Sequence, residues 1–203
     1  MSAQSSRAAA AADKRRQILD AAIHVFATRG FHACRVSDVA DEAGVAYGLV
    51  YHYFQSKDEV LDTLFLERWE LLLAAIGEID ERDIPAREKL HAIASFIVDS
   101  YRHDPELMKV IIVEVTRAAN TFGATHIGVI QRAYQRIAAI VAAAQADGSF
   151  RSVVSAEFAA MAFYGAIEQV LTGWIFDSLP QSAGGFDEAK RLIVETICSG
   201  LDQ

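Results

Sequence analysis

Hydrophobic residues recur every three to four positions along nearly the whole chain, and no stretch alternates apolar and polar residues for long. This period places apolar side chains on one face of a helix, whereas a half-buried strand needs a period of two. Only 3 prolines and 12 glycines interrupt the 203 residues, which disfavours folds with many tight turns. We therefore predict an all-α fold, and the length fits one large domain or two small ones.

Residues that begin helices divide this pattern into about nine segments. Ser56 and Glu59 have the spacing of a capping box, in which each side chain accepts a hydrogen bond from the backbone N–H of the other residue. Pro85 and Pro105 suit the first position of a helix, where no backbone N–H is needed. The predicted helices cover about 13–29, 37–43, 47–53, 56–76, 85–103, 105–119, 125–147, 155–177 and 187–201, with a loop over 179–186.

The sequence carries no evident targeting or membrane signal. Residues 1–12 are rich in Ser and Ala, lack the apolar centre of a signal peptide and are predicted to be a disordered tail. The longest run without Asp, Glu, Lys or Arg spans 118–131, which is shorter than the roughly 18 apolar residues that a membrane span needs. Cys34 and Cys198 form no disulfide framework or metal-binding motif. We predict a cytoplasmic protein with no membrane partner.

Charge is unevenly distributed along the chain. The net charge is −8, yet residues 1–57 carry seven bases and five acids, whereas residues 58–203 carry 12 bases and 22 acids. A basic end can dock on DNA although the whole molecule is acidic, but ordinary surface variation also explains such a difference. Arg15 and Arg16, near the start of the first helix, likewise either contact a DNA backbone or face solvent.

Residues 36–54 have the pattern of a helix-turn-helix, since two short helices are joined by a tight turn. Gly44 suits the left-handed backbone of the turn, and Val45 fills the space between the helices. Tyr47 and Tyr51 then lie on the outer face of the second helix, where they either pack on neighbouring helices or contact DNA. The helix-turn-helix context favours DNA.

Residues 14–65 resemble the N-terminal DNA-binding domain of TetR-family transcriptional regulators. The resemblance is carried by Phe26-Ala-Thr-Arg-Gly-Phe31, Val39-Ala40, Ala43-Gly-Val45, Leu49-Val-Tyr-His-Tyr-Phe54 and Ser56-Lys-Asp-Glu59. It implies a helix-turn-helix DNA-binding domain over 13–58 and a ligand-binding and dimerisation domain over 59–203. The residues expected at the DNA are Arg35, Ser37, Ala46, Tyr47, Gly48, Leu49, Tyr51, His52, Tyr53 and Lys57.

Three of these positions depart from the common family pattern. Ala46 and Leu49 stand where many members have Ser and Thr, and Arg35 stands where Thr is frequent. Leu49 would replace a hydroxyl contact with an apolar one, such as a thymine methyl. The resemblance implies that Tyr53 and Lys57 hold phosphates. Because one such module reads only a few base pairs, we expect a homodimer on palindromic double-stranded operator DNA.

The second domain is unusually apolar for its acidic charge. Aromatic and aliphatic side chains in its middle helices either fill a core or line a cavity for a hydrophobic ligand. The family resemblance favours an inducer cavity. The candidate lining residues are Trp69, Leu73, Phe96, Met108, Ile112, Val115, Phe122, Ile130, Tyr134 and Tyr164.

A weaker resemblance extends over the whole chain to the fatty-acyl-CoA-responsive regulators of fatty-acid degradation (FadR-type) within this family. It is carried by Gly30-Phe-His32, Gly44-Val-Ala46, Gly165 to Trp174, and Ser199-Gly-Leu201. It implies a repressor whose DNA affinity a long-chain acyl-CoA lowers. Bases near a cavity mouth would meet the CoA phosphates or simply face solvent, and the candidates are Arg102, Lys109, Arg117, Arg132 and Arg136.

The last two predicted helices suit an interface between two copies of the chain. Small residues would let helices approach closely, and large apolar ones would supply buried area, although both could be satisfied within one chain. The candidate interface residues are Phe158, Met161, Gly165, Leu171, Trp174, Leu192, Ile193 and Ile197.

Enzymatic motifs are not evident. The chain has no phosphate-binding glycine loop after a strand and no Gly-x-Ser-x-Gly turn, and its six histidines are dispersed. We expect neither catalysis nor a cofactor or metal site. Two other classes stay open: a helical small-molecule-binding protein or enzyme that uses the apolar cavity without DNA, and a DNA-binding protein without a ligand.

Overall fold

The computed structural model of the chain describes residues 3–114 and 124–201. Within these ranges the secondary structure is helical, which confirms the predicted all-α fold and the approximate number of helices. A five-residue π-helical segment, Val110–Glu114, continues directly from the sixth α-helix. The α-helices are α1 (Ala3–Arg29), α2 (Val36–Glu42), α3 (Tyr47–Tyr53), α4 (Lys57–Asp80), α5 (Ala86–His103), α6 (Pro105–Lys109), α7 (Ala124–Ala146), α8 (Ala156–Ile175) and α9 (Ala183–Cys198).

The described residues form two compact units. The first contains residues 3–65 and 106–114, and the second contains 66–105 and 124–201. The predicted boundary at 58/59 therefore differs from the observed division, because α4 continues through it and the π-helical segment packs against α1. Val110 and Val113 of that segment are buried.

α1 begins ten residues earlier than predicted. The sequence predicted a disordered tail over 1–12, but the structure places residues 3–12 in the helix. The physical reason is the run Ala8–Ala12, since alanine has the highest intrinsic helix propensity and the packed part of α1 provides a nucleus for it.

Side chains near the helix termini fix the helix-turn-helix. The backbone N–H of Arg35 donates to Asp38 Oδ2 at 2.6 Å, and Arg29 pairs with Asp38 Oδ1 at 2.9 Å. Gly44 has φ +61°, as the turn between α2 and α3 requires. Gln17 of α1 donates to the carbonyl of Ala43 at 2.7 Å, so α1 also supports this turn.

The start of α4 follows the predicted capping pattern with one change. The Glu59 N–H donates to Ser56 Oγ at 3.1 Å. The Glu59 carboxylate accepts from the N–H of Gln55 at 2.5 Å rather than from that of Ser56. Ser56 therefore caps the N–H of Glu59 in the first turn of α4.

In the second unit α7 packs on α8, and α9 packs on α5 and α8. Ile93, Ile137 and Ile167 are fully buried there. The last helix begins at Ala183, so Gly184 and Gly185 are helical and not part of the predicted loop. Ser182 explains the difference, because its hydroxyl caps the helix by accepting from the Gly185 N–H at 3.0 Å.

Candidate DNA-binding surface and ligand site

α3 has one buried and one exposed face. Val50 is buried, whereas Tyr47 and Tyr51 are 53% and 44% exposed. The two tyrosines lie one turn apart, their rings meet edge-on with centroids 5.0 Å apart, and their hydroxyls are 3.1 Å apart. Each phenol therefore stiffens the other while both rings stay accessible.

The other predicted DNA-facing residues surround this pair. None of the ten is buried within the described chain. Gly48 and the turn residue Ala46 leave the beginning of α3 free of bulk. Arg35, Ala46, Gly48 and His52 are exposed, and Ser37, Leu49, Tyr53 and Lys57 are half-buried.

Lys57 has a role that the sequence analysis missed. Its ammonium donates to the carbonyls of Phe31 at 2.5 Å and Cys34 at 2.9 Å, and it lies 4.3 Å from the centroid of the Phe31 ring. Lys57 therefore ties the start of α4 to the turn between α1 and α2, and a phosphate contact has only its remaining N–H to use. No local sequence signal marks this role, because both carbonyls belong to a distant turn.

Arg15 and Arg16 point to different partners. The Arg15 guanidinium lies 5.4 Å from the centroid of the Phe54 ring, at the end of α3. Arg16 pairs with Asp20 at 2.9 Å on the exposed surface of α1. Arg15 is therefore the one placed beside the recognition helix.

The second unit contains an aromatic cluster. The rings of Trp69 and Tyr164 have centroids 5.5 Å apart, and those of Tyr134 and Tyr164 are 5.4 Å apart and edge-on. Burial raises the pKa of both tyrosines, most strongly that of Tyr164. The cluster joins α4, α7 and α8 around residues that the sequence analysis assigned to a ligand cavity.

The structure does not group all of the predicted lining residues. Trp69 and Leu73 are buried in the second unit, and Phe96, Ile130, Tyr134 and Tyr164 are half-buried there. Met108 and Ile112 belong to the first unit, because the chain after α5 folds onto α1. Val115 and Phe122 lie outside the described residues.

Two ionisable side chains beside the cluster were missed. Arg68 is only 8% exposed and lies 5.1 Å from the centroid of the Phe96 ring, and desolvation lowers its pKa. Burial raises the pKa of Glu168. The signal available in the sequence was the position of Arg68 directly before Trp69 on a buried helix.

A cleft of about 240 Å³ also opens beside Tyr134, and it is lined by Gln131, Tyr134, Gln135, Ala138, Glu157 and Met161.

Two of the candidate phosphate-binding arginines instead hold α4. Arg132 pairs with Glu70 at 3.1 Å, and Arg136 donates to the backbone carbonyl of Leu73 at 3.0 Å. A Cβ at Gly77 would lie 2.8 Å from Arg136 Nη1, so glycine leaves the room that the guanidinium occupies. Of the other candidates, Arg102 lies 6.0 Å from the Phe186 ring, Lys109 belongs to the first unit, and Arg117 is outside the described residues.

The predicted dimer residues divide into two groups. Leu171, Trp174 and Ile193 are buried within the chain, so they leave almost no surface for a partner. Trp174 stacks on Tyr101 of α5 with centroids 5.5 Å apart, which explains its burial. Phe158, Met161, Gly165 and Leu192 are exposed, and Ile197 is half-buried.

Two further features bear on the class of protein. None of the described helices combines the length and apolar character needed to cross a membrane. In the same ranges, no three His, Cys, Asp or Glu side chains are grouped as ligands for a metal ion.

Comparison with known proteins agrees with this geometry. Residues 18–64 match the bacterial regulatory proteins of the tetR family, and residues 83–174 match the tetracyclin repressor-like C-terminal domain. The chain is 30% identical to the fatty acid metabolism regulator protein of Bacillus subtilis over 186 residues, which cover 91% of this chain and 94% of that protein. It is 27% identical over 147 residues to the transcriptional repressor KstR2 of Rhodococcus jostii, which covers 72% of each.

A solved structure of a transcriptional regulator has the same fold. The crystal structure of the transcriptional regulator FadR from Bacillus subtilis in complex with stearoyl-CoA superposes with a TM-score of 0.79 at 25% identity, and the match covers 91% of this chain and 98% of that one. The exposed tyrosine face of α3, the helical second unit and a relative that aligns over nearly the full length agree: the chain belongs to the tetR family of bacterial regulatory proteins.

Proposed function

We propose that this protein is a ligand-responsive transcriptional repressor. A homodimer binds a palindromic operator through its two copies of α3, and a long-chain acyl-CoA bound in the second unit releases it. The observation that carries the proposal is the exposed pair Tyr47 and Tyr51 on a helix-turn-helix whose other face is buried. Exposed rings of this size are costly in water unless a partner covers them.

The beginning of α3 supports close approach to DNA. Within the described chain, nothing lies within 4 Å of the point where a Cβ on Gly48 would stand. Packing therefore does not require glycine at this position, whereas approach of the helix backbone to base edges benefits from it. Tyr47 and Tyr51 flank Gly48 with hydroxyls that can donate to phosphates or bases.

The exposed parts of α8 and α9 support the homodimer. Phe158 and Met161 are 63% and 60% exposed, and Leu192 of α9 is 46% exposed. Gly165 lies on the same face of α8 as Phe158 and Met161. No atom of the described chain lies within 4 Å of the point where a Cβ on Gly165 would stand. A second copy packed on this face would bury large apolar side chains and allow close helix approach.

The ligand class follows from the aromatic cluster and from the relatives. A cluster of Trp69, Tyr134 and Tyr164 offers apolar area with hydroxyl groups at its edge, which suits a long acyl chain that ends in a polar thioester. The Bacillus subtilis relatives are a fatty acid metabolism regulator and a FadR solved with stearoyl-CoA. We infer that a long-chain acyl-CoA separates these rings when it binds.

α4 supplies a route for the signal. Residues 57–65 of this helix belong to the first unit and residues 66–80 to the second. A ligand that displaces the end held by Arg132 and Arg136 would move the end held by Lys57. Such coupling is reciprocal, so DNA would weaken ligand binding by the same factor.

The test uses DNA selected by the protein itself. The full-length protein is mixed with random-sequence duplexes, the enriched duplexes are sequenced, and their release is measured with stearoyl-CoA, stearate and free CoA. We expect an enriched palindrome and release by stearoyl-CoA alone. Ligand binding without any enriched duplex would instead favour a small-molecule-binding protein, and an enriched duplex that no acyl-CoA releases would remove the proposed inducer.

A further inference from the structure

We propose that residues 3–14 of α1 form an N-terminal arm that contacts the phosphate backbone of DNA beyond the bases read by α3. The inference rests on the proposed DNA-binding function and adds a surface to it. The arm is the part of α1 that precedes its packed region, and its residues 7–14 are all exposed.

Two contacts place the base of the arm beside the recognition helix. Gln17 donates to the carbonyl of Ala43, which lies just before the turn into α3. The Arg15 guanidinium lies over the ring of Phe54, the residue that follows α3. Residues 15–17 therefore contact the end of α2 and the residue that follows α3, and the arm extends beyond them.

Burial changes sharply along α1. Ile18, Ala22 and Phe26 have no exposed surface, whereas residues 7–14 contribute nothing to the core of the first unit. The arm is helical because its alanine run propagates the helix from the packed part. Residues 7–14 bury no side chain, and the bond that Lys14 donates to Gln17 Oε1 at 2.9 Å lies on the exposed surface, so both bases of the arm can reach a partner.

The chemistry of the arm fits a phosphate backbone. Residues 3–14 carry two bases, Arg7 and Lys14, against the single acid Asp13, in a chain whose net charge is −8. No large apolar side chain is present among residues 7–14, so the arm offers no anchor to a protein or membrane partner. Charge complementarity therefore commits it to the phosphates of DNA.

The spacing of the bases also suits a duplex. Arg7 and Lys14 are seven residues apart, so they lie on the same face of the helix and are separated by about 10 Å along its axis. This distance matches about three base-pair steps. Ala10 and Ala11 lie between them on that face, and their small side chains allow the helix to approach the backbone closely.

The experiment measures how DNA affinity depends on salt. Full-length wild-type protein, Arg7→Ala and Lys14→Ala are titrated, over a series of potassium chloride concentrations, with a long duplex enriched by the wild type and with a duplex of unrelated sequence. Each substitution removes up to two phosphate contacts from a dimer, so the slope of log affinity against log salt should fall in magnitude by about 1.8. At roughly 0.1 M salt this corresponds to an affinity loss of up to about 60-fold.

Three further variants separate charge, geometry and fold. Arg7→Lys should keep the wild-type slope because it keeps the charge. Ala10→Pro keeps both bases but interrupts the helix between them, so its slope should fall. Arg82→Ala removes an exposed base from the second unit and should leave the slope unchanged. The side-chain variants should melt at the wild-type temperature because the substituted side chains are exposed. Ala10→Pro should do the same, because the turn that it interrupts precedes the buried part of α1, which begins at Ile18.

The outcomes distinguish this inference from the proposed function. The proposal that the arm contacts phosphates would be overturned if Arg7→Ala and Lys14→Ala kept the wild-type dependence of DNA affinity on salt with both duplexes. This holds even where the wild type selects a palindrome. A wild-type slope for Ala10→Pro would overturn its helical form. If the wild type enriches no sequence, the repressor proposal fails, but the unrelated duplex still decides whether the arm binds phosphates.

Discussion

Replacing Lys57 with methionine tests whether this lysine holds the DNA-binding unit together. Its ammonium donates to the carbonyls of Phe31 and Cys34 and lies 4.3 Å from the Phe31 ring centroid. Methionine keeps an unbranched apolar stem that ends at the Cε position, and it removes the ammonium group with its charge and donors. We expect a measurable loss of stability, in addition to any loss of DNA affinity.

The magnitude follows from the contacts. A hydrogen bond to a charged group contributes about 1.5–3 kcal/mol, and the half-buried position of Lys57 favours the lower end because water can reach the carbonyls afterwards. Two such bonds and a cation–π contact of about 0.5–1 kcal/mol give roughly 3–4 kcal/mol. A sulfur–aromatic contact of the methionine recovers about 0.5 kcal/mol, which leaves a net loss of about 3 kcal/mol. For a chain of this length the melting temperature should fall by about 6–12 °C.

Arg35→Met is the matched control. Arg35 is also a base of the predicted DNA surface, but its side chain is exposed, and its backbone N–H, not its guanidinium, bonds Asp38. Removal of the Arg35 guanidinium should change the free energy of unfolding by no more than about 0.5 kcal/mol. Thermal melting followed by circular dichroism compares the two variants with the wild type. Equal melting temperatures for all three proteins would refute the structural role of Lys57 and leave it only a phosphate contact.

Three other outcomes are expected. Tyr51→Ala should weaken binding of the enriched duplex by about 1–3 kcal/mol per half-site in a gel-shift titration while the melting temperature stays near that of the wild type, since the ring is exposed. Arg136→Met removes the donor of the hydrogen bond to the Leu73 carbonyl of α4, and Gly77→Ala places a Cβ 2.8 Å from the Arg136 Nη1 that donates it. Both variants should therefore change the factor by which stearoyl-CoA lowers DNA affinity. Met161→Glu should give a monomer in sedimentation at micromolar concentration, whereas Arg82→Glu, an exposed charge reversal between α4 and α5, should sediment like the wild type.

Local signals in the sequence predicted most of the helices and the helix-turn-helix. Gly44 marks a left-handed turn and Ser56 caps α4, and each acts through its own backbone neighbourhood. The exposed positions of Tyr47 and Tyr51 follow from the same local period once Val50 is assigned to the core. Neighbouring residues in the chain determine these features, so a single sequence contains them.

Features that depend on distant residues were missed. Trp174 was assigned to a dimer interface because periodicity identifies an apolar face but not whether the same chain or another covers it; here Tyr101 covers it. Lys57 was read as a phosphate ligand because the carbonyls that it bonds belong to a turn more than twenty residues away. The tail over 1–12 was judged by composition, which does not register that a packed helix can propagate into an alanine run.

α4 links the proposed ligand site to the proposed DNA surface, and its bonds limit the strength of the coupling. Sixteen residues, about 24 Å of helix, separate Lys57 from Leu73, the residue whose carbonyl Arg136 holds. A ligand can shift the equilibrium only by its difference in affinity for the two states. The contacts it would exchange at this end are one charged hydrogen bond of about 1.5–3 kcal/mol and the exposed Arg132–Glu70 pair, which contributes about 0–1 kcal/mol. These magnitudes are comparable to the about 1–3 kcal/mol of typical allosteric coupling, so we expect the exchange of these α4 contacts to set the upper limit of the factor by which the ligand changes DNA affinity.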